Sequence, residues 1–440
     1  MRAKTLSTLF PLLRAVLAIL ATALLLTSAW ADHQTVLHSF GNGSDGMGPI
    51  GGLLMDAAGN LYGVTYGGGI YQCYGGGCGT VFELSRVPGG RWTETVLYNF
   101  ANTNDGGGPD AGLIMDAAGN LYGVTAYGGL NGDLGTVFEL SPGAGGTWTE
   151  TVLYSFSGND GRDPAGSLIM DAAGNLYGLT DDGGAYGEGI AFELSPSGGG
   201  GWTETVLHSF GNGSDAAYPA GSLIMDAAGN LYGATMQGGS YCPGYGCGTV
   251  FELSPAQGGG WTETVLYSFN GSDGFQPRAG LVMDATGNLY GTTVQGGPYC
   301  FFGCGTVFEL SPSVGGGWTE MTLYNFQNPP DAEGPDTVLI LDSAGNLYGT
   351  ASLAGNYGYG AVFEVSPRQG SWTETQLYSF GRDADGGGSG GVIMDRFGDL
   401  YGEGGGGIYY GGTAYELTPP ATRPAPSTQS PENESPRVPR

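Results

Sequence analysis

The chain has 440 residues, of which 89 are glycine, with 13 Lys and Arg against 41 Asp and Glu. Glycine this abundant is often a sign of disorder. However, 40% of the residues are hydrophobic, 12% are aromatic, and the glycines recur in register, which predicts a repeat protein rich in tight turns. A formal charge of −28 repels phosphate backbones and anionic lipid, so nucleic acid and membrane surfaces are poor partners.

The first 31 residues have the pattern of a secretory signal peptide. Arg2 and Lys4 precede an apolar run over 15–26, and the small-x-small sequence Ala-Trp-Ala ends at Ala31. The apolar run is shorter than the roughly 20 residues that cross a bilayer. We therefore expect an exported protein, either secreted or held at the cell envelope. Removal of this segment takes away three basic residues and no acidic one, which leaves a still more acidic mature chain.

One phrase recurs seven times along the chain. The first copy reads Met-Asp-Ala-Ala-Gly-Asn-Leu-Tyr-Gly over 55–63, and later copies follow at intervals of 53 to 60 residues. Most copies are followed by Gly-Thr-Val-Phe-Glu-Leu and then by Trp-Thr-Glu-Thr-Val-Leu-Tyr. The Asp of the seven copies is Asp56, Asp116, Asp171, Asp226, Asp284, Asp342 and Asp395.

Each copy contains four short segments with the composition of β-strands. In the second copy these strands, termed a to d, cover 112–116, 120–125, 136–140 and 148–156. Four strands in a unit of about 55 residues, repeated seven times, predict an all-β fold, a seven-bladed β-propeller. A β-helix is the alternative, although its coils are shorter.

The two ends of the repeat region predict how the ring closes. A lone strand d over 35–40 precedes the first strand a, and the chain ends its last copy with a strand c over 413–417. The N-terminal strand is therefore expected to complete the last blade, which removes an exposed sheet edge. The propeller domain is expected to cover 32–417.

The three phrases resemble the Gloeobacter/Verrucomicrobia (GloVer) tandem repeat over about Thr35–Leu417. The resemblance implies an exported bacterial protein with a propeller-like fold, in a family known for its choice of C-terminal anchors. It brings no established activity or catalytic residue. The chain departs from anchored members because residues 418–440 are Pro-rich, without an apolar helix or sorting motif, and they predict an extended, disordered tail.

Two repeated residues are predicted to have structural roles. The Asp of Asp-Ala-Ala-Gly-Asn is expected to accept backbone N–H groups across the turn between strands a and b. The repeated Tyr of strand b is expected to lie in the core between blades. The seven tyrosines are Tyr62, Tyr122, Tyr177, Tyr232, Tyr290, Tyr348 and Tyr401.

The b–c and d–a loops share one face of a propeller, and they vary in length and composition here. Variable loops on a rigid scaffold are where ligands usually bind, so we predict a glycan, peptide or protein ligand on this face. Its aromatic residues are the candidate contacts, unless they merely cover the top of the ring. They are Tyr66, Tyr71, Tyr74, Tyr127, Tyr186, Tyr241, Tyr245, Tyr299, Phe301, Phe302, Tyr357 and Tyr359, with Tyr409 and Tyr410 in the last blade.

Each d–a loop carries one Asp four or five residues past the strand. Calcium prefers carboxylate and carbonyl oxygens of flexible loops, so these residues are the candidate calcium ligands. No loop has EF-hand spacing, and Asp-Gly is also an ordinary turn sequence. The seven residues are Asp45, Asp105, Asp160, Asp215, Asp273, Asp331 and Asp385.

Six cysteines form three close pairs, all in b–c loops. In an exported chain an even number of cysteines at short spacing predicts disulfides. Zinc is the alternative, but it needs four ligands and the chain has only three histidines. The predicted pairs are Cys73–Cys78, Cys242–Cys247 and Cys300–Cys304.

No sequence motif identifies a catalytic residue or a cofactor. The stretch 387–391 matches a nucleophile elbow, but no helix follows it. The unrepeated loop acids Asp133, Asp181, Asp182 and Glu188 are the candidates for an acid/base pair. The preferred function is a monomeric binding module, and the alternatives are a polysaccharide hydrolase or lyase and a passive surface or matrix protein.

Overall fold

The computed structural model describes residues 34–418 except 74–75, 213–214, 243, 245, 301–302, 382–384 and 389. The predicted signal peptide and nearly all of the predicted tail lie outside these residues. The described part of the chain forms 29 strands in seven antiparallel sheets, together with one 3₁₀ turn at Ala144–Gly146. None of its helices has the length and apolar character of a membrane span.

Each sheet is one blade, and the strands of a blade are neighbours in chain order. Blade 1 contains β2 (Met47–Met55), β3 (Leu61–Gly67), β4 (Thr80–Arg86) and β5 (Trp92–Asn99). Blade 2 contains β6 (Ile114–Met115), β7 (Leu121–Thr125), β8 (Thr136–Pro142) and β9 (Trp148–Ser155). Blade 3 contains β10 (Arg162–Met170), β11 (Leu176–Asp182), β12 (Ile190–Pro196) and β13 (Trp202–Ser209). Blade 4 contains β14 (Ala216–Met225), β15 (Leu231–Gly238), β16 (Thr249–Pro255) and β17 (Trp261–Ser268).

The remaining blades follow the same plan. Blade 5 contains β18 (Val282–Met283), β19 (Leu289–Thr293), β20 (Thr306–Pro312) and β21 (Trp318–Asn325). In blade 6 the first strand is divided into β22 (Ala332–Pro335) and β23 (Ile340–Leu341), followed by β24 (Leu347–Ala354), β25 (Ala361–Arg368) and β26 (Ser371–Ser379). Blade 7 contains β27 (Val392–Met394), β28 (Leu400–Gly404), β29 (Thr413–Leu417) and the N-terminal strand β1 (Gln34–Ser39).

The pairing of β1 with β29 confirms the predicted closure of the ring. Gln34 lies opposite Leu417 and Ser39 lies opposite Thr413 in an antiparallel register. The first and last strands of the propeller are thus held in one sheet, and every blade has its outer strand. The fold is the predicted seven-bladed β-propeller.

The Asp-Ala-Ala-Gly-Asn turn has the predicted structural role. In blade 1, Asp56 Oδ1 accepts hydrogen bonds from the backbone N–H groups of Ala58 (2.8 Å) and Asn60 (2.9 Å). The Tyr62 hydroxyl donates to Asp56 Oδ2 at 3.3 Å. The turn therefore ties strand a to strand b, and the same backbone contacts recur at the other six aspartates.

An aromatic pair spans each of the seven seams between neighbouring blades. The Phe after strand d of one blade packs against the strand-c aromatic of the next blade, with ring centroids 4.8 to 5.2 Å apart. Such edge-to-face or tilted contacts add about 0.5–1.5 kcal/mol each beyond the burial of their area. The pairs are Phe40–Phe82, Phe100–Phe138, Phe156–Phe192, Phe210–Phe251, Phe269–Phe308, Phe326–Phe363 and Phe380–Tyr415. The repeated strand-b tyrosines are buried in the same seams, as predicted.

The closing seam between blades 7 and 1 contains a buried acid. Glu403 of β28 replaces the Val that stands at this position in blades 1 and 2, and its side chain is fully buried. Its Oε2 accepts a hydrogen bond from the Gly52 N–H of blade 1 at 3.1 Å, whereas Oε1 has no partner. Burial raises the pKa of Glu403 well above its ordinary value. The nearby Tyr415 hydroxyl is also buried without a partner.

Near the axis, the inner strands approach one another at glycines. A Cβ on Gly221 would overlap the backbone nitrogen of Gly280 in the next blade, and a Cβ on Gly166 would overlap the Gly221 carbonyl. A hydrogen bond from the Ser167 N–H to Ser222 Oγ (2.9 Å) joins two of these strands directly. Small residues are therefore required at the centre of the ring.

The Glu403→Gln variant should be more stable than the wild type at pH 8, by roughly 1–3 kcal/mol, and little changed at pH 4. The raised pKa of Glu403 stabilises the folded protein below the unfolded pKa of about 4.3, and this contribution is lost as the pH rises towards the folded pKa. Urea unfolding from pH 4 to 9 measures the effect. The control is Tyr415→Phe, which keeps Glu403, so its free energy of unfolding should depend on pH as in the wild type. If the free energy of unfolding of Glu403→Gln also depended on pH as in the wild type, the Glu403 carboxyl would not be protonated in the folded protein.

The Gly221→Ala variant should lose more stability than Gly229→Ala. Both glycines have positive φ (+71° and +84°), so each substitution costs about 1–2 kcal/mol in backbone strain. Only Gly221 also faces the backbone of a neighbouring blade, whereas a Cβ on Gly229 meets open space. We expect a further loss of about 1–3 kcal/mol in Gly221→Ala, measured by chemical unfolding. Equal losses of stability in the two variants would show that Gly221 does not pack closely against the neighbouring blade.

Candidate functional site

The b–c and d–a loops lie together at one end of the propeller, because adjacent strands in every blade are antiparallel. We refer to this end as the variable face and to the opposite end as the constant face. The three predicted disulfides form within the b–c loops of the variable face, with Cα–Cα distances of 5.1, 5.6 and 5.6 Å. The described residues include no free cysteine. Three short-range disulfides are typical of an oxidising compartment.

Most of the candidate aromatic residues are exposed on the variable face. Tyr66 is 45% exposed and Tyr357 is 68% exposed, and the same class includes Tyr71, Tyr186, Tyr241, Tyr299, Tyr359, Tyr409 and Tyr410. Tyr127 differs, because it is half-buried and packs over the backbone of Gly107 and Gly108. Tyr74, Tyr245, Phe301 and Phe302 lie outside the described residues. The exposed rings give the variable face a broken aromatic surface.

Charged residues interrupt the repeat where the inner strands begin. The residue after the proline that opens strand a is Ile50 in blade 1 and alanine in blades 3 and 4. The same position is Asp110 in blade 2, Arg278 in blade 5 and Asp336 in blade 6. An alignment of the blades on this proline would have revealed the pattern, but analysis of the loops alone did not.

Strand b contributes a further acid at the same end of the ring. Asp181 follows the buried Thr180 of β11, at the position that Tyr66 occupies in blade 1. Asp163 lies opposite, one residue before the proline of blade 3. We define the axial cluster as Asp110, Asp163, Asp181, Arg278 and Asp336.

The electrostatic coupling within the axial cluster reaches across the ring. Burial and then the charges of Asp182 and Asp163 raise the pKa of Asp181 to about 7, while the Arg278 guanidinium opposes this rise. Asp181 belongs to blade 3 and Arg278 to blade 5, which are not neighbours. The coupling therefore joins residues of blades that are not adjacent.

Two other acids of the axial cluster are similarly perturbed. Burial, followed by the charge of Asp181, raises the pKa of Asp110 to about 7. Burial raises the pKa of Asp336 to about 6, while hydrogen bonds from its own backbone N–H and from Ser352, and then the charge of Arg278, lower it in part. In Asp110, Asp181 and Asp336, Oδ1 is inaccessible to solvent and has no hydrogen-bond partner. Buried acceptors without partners are costly, and several strand-d glutamates, among them Glu94 and Glu150, have one as well.

The backbone beside the axial cluster is strained in three blades. The residue before the strand-a proline has a left-handed conformation, and it is glycine in blades 1, 2 and 6. Blades 3, 4 and 5 place Asp163, Tyr218 and Gln276 there, with φ of 50°, 54° and 57°. A left-handed non-glycine residue costs of order 1–3 kcal/mol, and such strain is concentrated at functional sites.

The structure brings only one of the four unrepeated loop acids into the axial cluster, namely Asp181. Its neighbour Asp182 forms an ion pair with Arg162 at 2.8 Å. Asp133 Oδ1 accepts a hydrogen bond from the Gly128 N–H at 2.6 Å. Glu188 lies in the b–c loop of blade 3. The sequence analysis missed Asp110, Asp163, Arg278 and Asp336.

The aspartates of the d–a loops occupy the outer part of the seams. In the seam between blades 1 and 2, Asp105 Oδ2 accepts hydrogen bonds from the Tyr98 hydroxyl (3.1 Å) and the Ala101 N–H (2.9 Å). The strand-d glutamate of blade 2, Glu150, lies close by, and burial and the charge of Asp105 raise its pKa to about 7. Equivalent carboxyl pairs lie in five further seams: Asp45–Glu94, Asp160–Glu204, Asp215–Glu263, Asp273–Glu320 and Asp331–Glu374.

The seventh seam replaces the glutamate with an amide. Gln34 of β1 donates a hydrogen bond to the backbone carbonyl of Asp385 at 2.9 Å. The Asp385 side chain keeps the usual contacts, with the Tyr378 hydroxyl and the Gly381 N–H. The d–a aspartates thus already have hydrogen-bond donors, and calcium binding by them stays a prediction.

One seam also groups three different metal-ligand side chains. Donor atoms of His208, Asp215 and Glu263 lie within 4.8 Å of one another. The His208 ring Nε2 donates to Asp215 Oδ2 at 3.0 Å, in place of the Tyr hydroxyl that donates to Asp in most other seams. The only other such group among the described residues combines Cys300, Cys304 and Glu333, and its cysteines are disulfide-bonded.

A family model for the Gloeobacter/Verrucomicrobia repeat matches residues 25–245 and 226–425, which together cover most of the chain. The chain belongs to this family. The match confirms the resemblance seen in the repeated phrases. Each copy of the phrases corresponds to one blade of the structure. No curated protein matches the chain.

Several solved structures are similar to this chain at low sequence identity. A fungal alcohol oxidase of the AA5 family, in complex with copper, is 15% identical with a TM-score of 0.52, covering 85% of this chain and 75% of the oxidase. A luciferin-regenerating enzyme is 14% identical, with a TM-score of 0.42 and coverages of 79% and 99%. A protein of unknown function from Dyadobacter fermentans is 12% identical, with a TM-score of 0.40 and coverages of 78% and 96%. The likeness to the oxidase shows the fold alone.

The Asp110→Asn variant should be more stable than the wild type at pH 8, by roughly 1–3 kcal/mol, and nearly unchanged at pH 4. The raised pKa of Asp110 stabilises the folded state below the unfolded value of about 3.9, and that contribution is lost as the pH rises through about 7. Chemical unfolding at the two pH values tests this expectation. If Asp110→Asn changed the free energy of unfolding equally at both pH values, the pKa of Asp110 would not be raised.

Proposed function

We propose that the protein is an exported binding module that holds a glycan, peptide or protein ligand on its variable face. The single observation that carries the proposal is the axial cluster, where three carboxylates have a buried oxygen without a donor. Strand-d glutamates such as Glu94 and Glu150 have such an oxygen as well, so it is the unrepeated residues that distinguish the cluster. The cluster also lies where the seven-fold repeat is broken, so its residues are not required by the blade architecture.

The exposed tyrosines support the same face as the binding surface. Tyr66 lies beside the axial cluster: burial and then the charges of Asp110 and Asp163 raise its pKa. Tyr71, Tyr357 and other exposed rings belong to b–c loops of the same face. Flat aromatic rings offer large contact areas at low cost in conformational entropy, which suits an extended ligand.

Export is part of the proposal. The predicted signal peptide over 1–31 and the three disulfides both favour an oxidising compartment outside the cytoplasm. Secretion, or retention at the cell envelope, is consistent with a chain of strong net negative charge.

A second candidate function is polysaccharide hydrolysis or cleavage by a lyase reaction. Asp110 and Asp181 lie in one cluster, and both have a pKa raised to about 7. Carboxyls with such a pKa suit general acid catalysis near neutral pH. The likeness to an oxidase at 15% identity adds nothing to this candidate, because it concerns the fold.

Incubation of the purified protein with a panel of insoluble polysaccharides tests both functions in one assay. We expect depletion of the protein from solution without release of soluble reducing ends. Tyr357→Ala should reduce the depletion several-fold, because Tyr357 is an exposed ring on the variable face. The matched control is Phe397→Ala, which removes a 62% exposed ring from the turn between strands a and b on the constant face.

Either of two results would change the assignment. Release of reducing ends that is lost in Asp181→Asn would make the protein an enzyme. Equal loss of binding in Tyr357→Ala and Phe397→Ala would remove the variable face as the binding surface.

A further inference from the structure

A cleft of about 350 Å³ opens at the seam between blades 5 and 6, among the loops of the variable face. Strand d of each blade lines it, through Tyr324 of β21 and through Glu374 and Gln376 of β26. Residues of the d–a loop over 327–331 and Asn356 of the blade 6 b–c loop complete the lining. Small-ligand sites have volumes of roughly 300–1,000 Å³, so the cleft can hold a small molecule or one unit of a larger one.

The two acids of the cleft do not distinguish it from the other seams. Asp331 and Glu374 form the carboxyl pair that recurs in five other seams. Asp331 Oδ2 accepts hydrogen bonds from the Tyr324 hydroxyl and the Gln327 N–H, both at 2.9 Å. Its Oδ1 accepts a further bond, at 2.8 Å, from the next N–H in the chain. The acids are therefore part of the repeated architecture.

Two amide side chains do distinguish the cleft, because each interrupts the repeat. Gln376 stands opposite the strand-c Phe363, where strand d has valine in blades 1, 2, 3, 4 and 7 and threonine in blade 5. Asn356 directly follows Gly355 of the b–c loop. The residue after the equivalent glycine of the other blades is apolar or small, namely Ile70, Leu130, Ala185, Ser240, Pro298 or Ile408.

The two unrepeated amides are held in place by hydrogen bonds across the cleft. Asn356 Nδ2 donates to Gln376 Oε1 at 2.7 Å, and Gln376 Nε2 donates to the Pro330 carbonyl at 3.2 Å. These bonds join strand d, the b–c loop and the d–a loop. Within the described part of the chain, each amide uses one of its two N–H donors in these contacts, which leaves the other for a ligand.

The charge of the cleft argues against an ionic ligand. Burial, followed by the charge of Asp331, raises the pKa of Glu374 to about 8, so its carboxyl is mainly neutral at pH 7. Asp331 keeps one negative charge, which repels an anion, and its oxygens already have donors. Most of the remaining polar lining consists of four amides: Gln327, Asn328, Asn356 and Gln376.

These groups match hydroxyls better than they match other ligand groups. Amides and a neutral carboxyl both donate and accept hydrogen bonds, and so does a hydroxyl. An apolar ligand would leave the amides without partners, which is costly. A molecule with several hydroxyls on a small frame, such as a sugar ring, satisfies them without adding charge.

We propose that the cleft between blades 5 and 6 binds one uncharged sugar unit of a glycan, whose hydroxyls pair with Asn356, Gln376 and Glu374. This inference rests on the proposed function, and it names a site and a ligand class on the same variable face. Tyr357, which is 68% exposed, directly follows Asn356 in the chain. The cleft therefore lies within one residue of an exposed aromatic ring, which is a favourable surface for the next unit of the glycan.

Isothermal titration calorimetry of the full protein at pH 7 tests the ligand class. The neutral probes are cellotetraose, maltotetraose and mannotetraose. Glucosamine tetramer has the ring and linkage of cellotetraose but carries positive charge, and tetragalacturonic acid carries negative charge. We expect at least one neutral probe to bind about tenfold or more tightly than either charged probe.

Two variants and a matched control assign the binding to the cleft. Gln376→Val restores the residue of the other blades and should reduce the affinity for the bound neutral probe about tenfold. Asn356→Ala should have a similar effect. The control is Asn131→Ala, because Asn131 is also an exposed b–c loop asparagine whose Nδ2 donates one hydrogen bond to strand d, at 2.8 Å from the Ser155 carbonyl. Its affinity should change by less than about twofold, and thermal unfolding checks that all three variants are folded.

The outcomes separate this inference from the proposed function. If a neutral probe binds and depends on Tyr357, but Gln376→Val and Asn356→Ala bind it as the wild type does, the proposed function stands and this inference fails. Equal or tighter binding of a charged probe would overturn the assignment to an uncharged sugar. If none of the three neutral probes binds, this inference fails, and depletion by the insoluble polysaccharides then decides the proposed function separately. Absence of binding in both experiments would overturn both.

Discussion

The contact on which the ring depends is the aromatic pair at each seam. The Phe that ends one blade packs against the strand-c aromatic of the next, and this happens seven times at nearly the same distance. Each blade is thus held by a residue of its predecessor. Because the pairing needs the same residue at the same place in each copy, it accounts for the persistence of the repeated phrases.

This packing restricts which residues can occupy the seams, whereas it leaves the residues of the loops free to vary. Glycine at the axis allows the inner strands to meet, and the turn at Asp56 and its equivalents closes each first hairpin. The variable face is free of these requirements, so disulfides, exposed tyrosines and unpaired acids accumulate there. The closing seam is the exception, because Glu403 and Tyr415 depart from the repeat inside the core.

Acidic residues at the rim of the propeller and near its axis have different surroundings. At the rim, an Asp and a Glu share each of six seams, and hydroxyl and backbone donors satisfy the Asp. Near the axis, Asp110, Asp181 and Asp336 present oxygens without donors. The first arrangement recurs with the blades and is explained by the architecture. The second arrangement combines residues that are not repeated from blade to blade.

The amino-acid sequence by itself determined the propeller, its blade count, the closure by the N-terminal strand and the three cysteine pairs. Each of these is encoded by local phrases whose order and spacing repeat, so no knowledge of distant contacts is needed. The role of Asp56 in its turn and the burial of Tyr62 were equally predictable, since both depend on neighbours in the same hairpin or seam.

Only the tertiary structure decided where the unrepeated charges meet. Asp181 and Arg278 are 97 residues apart in sequence, and nothing in their own loops relates one to the other. Asp133, Asp182 and Glu188 seemed equivalent to Asp181 in sequence, yet Asp181 alone belongs to the axial cluster. The reason is geometric: closure of the ring brings the inner strands of non-neighbouring blades around one axis, and charges interact there through space instead of along the chain.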